Sequence, residues 1–315
     1  MKAAEMSVHH HGHQHQTGVV LKWSLAATIV FVVVELIAGL RAGSLALISD
    51  AGHNFTDALS LVLAAIGLYL ESRPADSVKT YGYHRAGVLT AFVNALTLVG
   101  ISIFIFYEAW QRFLHPQPVH EWTMLWVASV AVALNAGIMW SLHRDKDRDL
   151  NIRAAFIHML GDAVSSMAIV AGALIIYFTG FNAIDPILSV LIGALIIWSA
   201  WDIIKESLNV LLEGLPRGME LAQVTQALQR VEGVVDVHDL HIWSLGSSAH
   251  ALSCHILIED MPPSSSNAIL QRINTLLCEF HIHHTTIQFE HTKCALSETP
   301  CTLMVTAHQH EHEST

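Results

Sequence analysis

The sequence predicts an α-helical membrane protein of six transmembrane helices, followed by a small cytosolic α+β domain. Three observations carry that prediction. Six apolar stretches run close to the ~20 residues that cross a hydrocarbon core. Charged residues make up only 14% of the 315 positions and cluster between those stretches, which is a membrane-protein pattern. After Gly214 and Pro216 the long apolar runs give way to short alternating segments of strand character.

Residues 1–17 form a polar tail carrying His9, His10, His11, His13 and His15. Nothing in it has the apolar stretch or cleavage site of a signal peptide, so the first apolar helix is expected to stay in the membrane. The transmembrane domain, 18–212, divides into spans at about 19–40, 45–70, 86–110, 122–142, 153–178 and 185–205. Its loops orient it. Arg73, Lys79 and Arg85 fall between spans two and three, and Arg144, Lys146, Arg148 and Arg153 between four and five. The opposite side carries only Arg41 and Arg112. The excess of bases places both termini in the cytosol. Asp185-Pro186 reads as an N-cap followed by proline in the first turn, opening span six.

The domain 213–291 begins with an amphipathic helix over 219–232, with Leu221, Val224, Leu228 and Val231 on one side. Two strands follow, VVDVHDLHIWSLG and HALSCHILIED, joined by a Gly-Ser-Ser turn. MPPSSSN then breaks the chain and caps a helix over 267–280, and TTIQFEH forms a last strand. The order is α-β-β-α-β, a metallochaperone-like arrangement with helices on one face of a sheet. The tail 292–315 holds Cys294, Cys301, His308, His310 and His312.

Composition excludes some partners. The formal net charge is −11, so the basic footprint of a nucleic-acid binder is absent. From Lys205 onward 13 acids face 5 bases, which makes the C-terminal part self-repelling until something neutralises it. The four cysteines all lie there. In a cytosolic domain they favour free thiols or metal ligation over structural disulfides.

Two stretches carry the chemistry. Within the second and fifth spans, His53 and Asp57, and His158 and Asp162, stand four residues apart. Positions i and i+4 share a helix face, so each pair aims two ligand atoms at one point. An ionisable side chain within a span costs at least ~2.5 kcal/mol on insertion scales, and four recur here in matched pairs. Two such helices packed together supply two imidazoles and two carboxylates, a tetrahedral shell that zinc accepts. The carboxylates cancel the charge of the dication. Four protein ligands leave no open position for hydrolysis, and the HExxH pattern is absent. Asp50, one turn before His53, is placed to orient or cap the site. Glu35 and Asn135 read as packing or hydration partners.

In the C-terminal domain, alternation puts Val235, Val237, Trp243 and Leu245 on one face of the first strand, with His241 among them and His238 on the other face. In the middle strand Cys254 shares the apolar face with Leu252, Ile256 and Ile258, while His255 points away. In the last strand Ile287 and Phe289 face the core and Glu290 faces out. His238, His255 and Glu290 are therefore expected to meet on one surface and to bind metal there.

The segments GSLALISDAGHNFTD (43–57), YGYHRAGVLTAF (81–92), AAFIHMLGDAVSS (154–166), DPILS (185–189), LLEG (211–214) and HDLHIWSL (238–245) together resemble the cation diffusion facilitator family, in its zinc-transporter branch. The resemblance covers nearly the whole chain. It implies a homodimeric carrier, surrounded by membrane lipid, that exports Zn2+ from the cytosol in exchange for protons by alternating access. Its transport ligands fall on His53, Asp57, His158 and Asp162. It also implies metal ligands near His238, His255 and Glu290, with Cys294 and Cys301 as candidates to complete the shell, and an interfacial site at His84. His at position 53 is similar to zinc-preferring members. The His-rich loop that many eukaryotic vesicular members carry between spans four and five is missing, which favours a bacterial inner membrane. A family exporter tuned to Cd2+, Fe2+ or Co2+, and a membrane-anchored zinc sensor without flux, stay open as alternatives.

Overall fold

A computed structural model describes residues 28–143, 150–246 and 249–292, without the side chains of 150, 151 and 154. The histidines of the N-terminal tail, Cys294, Cys301 and the C-terminal histidines lie outside the described residues. Helix α1 is described over 28–42. It is followed by α2 (Leu45–Glu71), α3 (Ala86–Leu114), α4 (Glu121–Leu142), α5 (Leu150–Thr179) and α6 (Ile184–Leu211), then α7 (Leu221–Gln229), β1 (Val234–Ser244), β2 (His250–Ile258), α8 (Pro263–Glu279) and β3 (Ile282–Glu290). Among the described residues, the five helices α2 to α6 are long and apolar enough to cross a membrane. The chain divides into two units, one of 1–66 with 90–205, the other of 67–89 with 206–315.

The first unit packs its helices through small side chains. Ala46, Ala95, Ala128, Ala173 and Ala200 sit in one buried cluster with Leu47, Met124, Ile169 and Ile192. Small residues let helix backbones approach where no hydrophobic force separates helix from lipid. Gly172 does the same: a Cβ there would collide with Leu188 of α6. The outward faces are apolar, with Phe104, Trp140, Phe178 and Trp198 exposed. That is the surface a hydrocarbon solvent requires.

Asp185 does not cap its own helix. It lies inside α6 and is fully buried. Its carboxylate accepts the Leu45 amide (2.7 Å), the Ala46 amide (3.2 Å) and the Ser44 hydroxyl (2.6 Å), and so caps α2. Gly43, at φ +65°, makes the turn that aims those donors. Arg112 of α3 closes the group, with Nη1 3.3 Å from Asp185 and donating also to the Gly43 carbonyl. The first amides of a helix lack internal partners, and here an acid 140 positions away supplies one.

The second unit contains a three-stranded sheet of order β1-β2-β3, with β1 antiparallel and β2 parallel to β3. α8 is the crossover that a parallel pair needs. α7 and α8 cover the sheet through Val224, Leu228, Ile269, Ile273 and Leu277, against Leu252, Cys254, Ile256 and Ile258. The α-β-β-α-β order is as the sequence predicts. α8 starts four residues earlier than expected, because Pro263 occupies the first turn, where its missing N–H costs nothing.

The face assignment in β1 needs correcting. His238 pairs with His255 but His241 pairs with Ser253, so two residues, Asp239 and Leu240, oppose one. This bulge, with Asp239 at φ +51°, shifts the alternation. Val235 is exposed; beyond the bulge Ile242 and Ser244 are buried, and His241 is exposed instead of lying on the apolar face.

Asp185→Asn removes the charge that holds Arg112 and the start of α2. Breaking a buried ion pair on one side destabilises by about 3 kcal/mol. A lower thermal midpoint in detergent is expected; an unchanged midpoint would contradict this role.

Candidate metal centre

α2 and α5 bring their polar positions together. His53 Nε2 stands 3.7 Å from Asp57 Oδ2 on its own helix and 3.4 Å from Asp162 Oδ1 across the gap. His158 Nε2 stands 3.7 Å from Asp162 Oδ2 on its own helix and 3.3 Å from Asp57 Oδ2 across it. Each imidazole thus faces both carboxylates, and each carboxylate both imidazoles. The rings meet edge to face, with centroids 6.2 Å apart. Bonds of ~2.0 Å in a tetrahedral shell require nitrogen–oxygen edges of roughly 3.3 Å. The edges to Asp57 share Oδ2, whereas those to Asp162 run to Oδ1 from His53 and to Oδ2 from His158, so a single tetrahedral shell requires His158 to move towards the other three. Three of the ligand atoms, from His53, Asp57 and Asp162, already lie within 4.8 Å of one another. Exposure is graded: the Asp162 side chain is 7% exposed and His158 45%.

Asp50 does not touch the four ligands. It accepts hydroxyls from Ser165 and Ser166 of α5, at 3.2 and 3.3 Å, which ties the two helices together one turn from the site. The pair of serines after Asp162 was the sequence signal for this link.

The second unit holds a separate constellation. His238 Nε2 lies 3.1 Å from Glu290 Oε2, and His255 Nδ1 lies 3.1 Å from Glu290 Oε1. The expected three residues do meet, one from each strand. The His238–Glu290 contact lacks hydrogen-bond angles, so His238 Nε2 and Glu290 Oε2 remain buried without a partner. Donors that converge without bonding each other fit a shared cation. His255 Nε2 also lies 3.7 Å from Asp239 Oδ2, and Asp239 Oδ1 lies 2.9 Å from His241 Nε2. The bulge puts Asp239 there, and strict alternation cannot reveal it. His84 belongs to no group of three metal-type donors among the described residues; it lines a cleft of about 960 Å³ with Tyr81, His241 and Trp243.

Residues 21–212 match the cation efflux transmembrane domain, and residues 216–292 match the cation efflux protein, cytoplasmic domain. The chain belongs to the cation diffusion facilitator family. A zinc transporter ZitB of Pectobacterium atrosepticum is 41% identical, across 90% of this chain and 90% of its own. A metal cation efflux system protein CzcD of Cupriavidus metallidurans is 38% identical, across 90% of each. A protein of Bacillus velezensis named a cadmium, cobalt and zinc/H(+)-K(+) antiporter is 37% identical, across 89% of this chain and 91% of its own. Among solved structures, the metal-bound C-terminal domain of the CzcD transporter from Cuprividus metallidurans is 34% identical, covers 23% of this chain and 99% of its own, and has a TM-score of 0.21. This cation diffusion facilitator is a multi-pass membrane protein and a metal-cation transporter, not an enzyme.

Cysteine chemistry offers a check on the fold of the second unit. Burial, with the Asp239 charge behind it, pushes the Cys254 thiol up to about 12. The reactive thiolate is then absent near pH 8. Cys278 is exposed on α8. Alkylation of the native protein at pH 8, read by peptide mass, should label Cys278 and spare Cys254 until the protein is unfolded. Equal labelling of the two would contradict this core.

Proposed function

We propose that this chain exports Zn2+ from the cytosol in exchange for protons, by alternating access, as a homodimer in a bacterial inner membrane. The observation that carries the reading is the alternating arrangement of His53, Asp57, His158 and Asp162 across α2 and α5. Two imidazoles and two carboxylates suit zinc, and also Co2+ and Cd2+; they disfavour Mn2+, which prefers oxygen. The zinc preference draws on the relatives named as zinc transporters. The relative whose name includes cadmium and cobalt supports a broader second reading for the same site.

Coupling follows from the ligands. Metal binds neutral imidazole and ionised carboxylate. Imidazole exchanges its proton near pH ~6.5. Zinc arriving on one side displaces protons from His53 and His158. Protons arriving on the other side convert the same nitrogens to donors and eject the ion. Both loaded states are neutral: two imidazolium charges or one dication against two carboxylates. Neither state leaves net charge in the low-dielectric interior.

We place the termini and the domain 213–291 in the cytosol, with 18–212 as the transport domain. The bases flanking α2–α3 and α4–α5 support that orientation, and the family matches over 21–212 and 216–292 support the division. His238, His255 and Glu290 would hold a regulatory zinc, with Cys294 or Cys301 able to add a thiolate. Bound metal neutralises part of an acidic domain and so favours closure of two copies. Among the described residues His84 joins no group of three metal-type donors, so it is not among the proposed ligands.

Two measurements in sealed proteoliposomes test the reading. Asp57→Ala should cut zinc flux by more than about tenfold, because it removes one of four ligands and unbalances the charge. Flux through the intact protein should rise with an imposed proton gradient and fall when the gradient is collapsed. Zinc binding without any flux would instead make the protein a sensor.

A further inference from the structure

Glu35 of α1 and Asp50 of α2 lie outside the quartet, and metal ligation does not use them. Both are closed to solvent, at 0% and 1% exposed. Their carboxyl groups stand within reach of each other, with no donor between them. Donors are divided unequally between them. Asp50 accepts Ser165 on Oδ1 and Ser166 on Oδ2. Glu35 accepts the Asn54 amide on Oε2 at 3.1 Å, while its Oε1 is buried and has no donor. The lysine and arginine ion pairs of the described residues all lie elsewhere. The titratable groups facing the pair are His53 from α2 and Asp162 from α5.

Two carboxylates in contact in a low-dielectric site cannot both be ionised; one proton must sit between them. The hydrogen bonds say where. Asp50 already receives two hydroxyls, which favour its charged form. A proton on Glu35 Oε1 turns the one orphaned acceptor into a donor and leaves every oxygen of the pair partnered. We propose that Glu35 and Asp50 form a proton-binding site separate from the metal quartet, holding one proton on Glu35 Oε1 that is donated to Asp50. Asp50 precedes His53 by one turn of α2, so this proton lies within electrostatic reach of the ion. Its part in transport rests on the antiport reading above; its existence does not.

Infrared spectroscopy of the purified protein in lipid tests the site without measuring flux. At neutral pH the wild type should show the carbonyl stretch of a buried protonated carboxylic acid, sensitive to D2O. Glu35→Gln should lose that band, yet keep its fold, because the glutamine amide can still donate to Asp50. Asp50→Asn should shift the band, because the Glu35 acid then faces a neutral amide in place of a carboxylate. Circular dichroism and a single elution peak check that both variants are folded. Three results would overturn the site: no such band at neutral pH, a band that either variant leaves unchanged, or a wild-type band abolished by added potassium or sodium, which would make the pair a hard-cation site. Flux that ignores the pH gradient would sink the antiport reading and leave this one standing.

Discussion

A divalent ion cannot rest in a low-dielectric helix bundle unless its charge is matched within bonding distance. In this chain α2 and α5 each bring one imidazole and one carboxylate together, with His53 facing Asp162 and His158 facing Asp57 across the gap. The arrangement is symmetric in chemistry but not in exposure, since Asp162 is deep and His158 is open. One side of the site is therefore fixed by packing, and the other is left open.

The rest of the first unit holds the two helices in register. At one end, Asp185 and Arg112 tie the start of α2 to α6 and α3 through its free amides. Nearer the site, Asp50 tethers α2 to α5 through two serine hydroxyls. Alanines fill the contacts between these anchors. The polar groups fix position and rotation, and the small residues allow close approach without a large, interlocking core. The C-terminal domain uses a sheet instead: three strands each bring one metal-type donor to one surface, and a β-bulge supplies Asp239 behind them.

What could be read from the sequence depended on distance along the chain. His53 with Asp57 and His158 with Asp162 are legible because i and i+4 share a face in any helix, whatever the tertiary structure. The alternation of β2 and β3 likewise placed His255 and Glu290 on one side. Asp185 was misread because its partners lie on α2, far away in sequence, and an acid before a proline at a helix start has a local explanation ready to hand. β1 failed at Val235 and beyond His238 because register shifts at both places reverse side-chain direction, and no local residue pattern announces them. Glu35 carried a signal, an acid in a span, but its role depends on Asn54 and Asp50, which only packing brings to it.

The central claim is that one ion is held jointly by two helices. Anomalous diffraction at the zinc edge, from crystals of the full chain grown with zinc, tests it most directly. A peak is expected between α2 and α5, bonded to His53, Asp57, His158 and Asp162. No peak there, or an ion bound by one helix alone with water completing its shell, would contradict it.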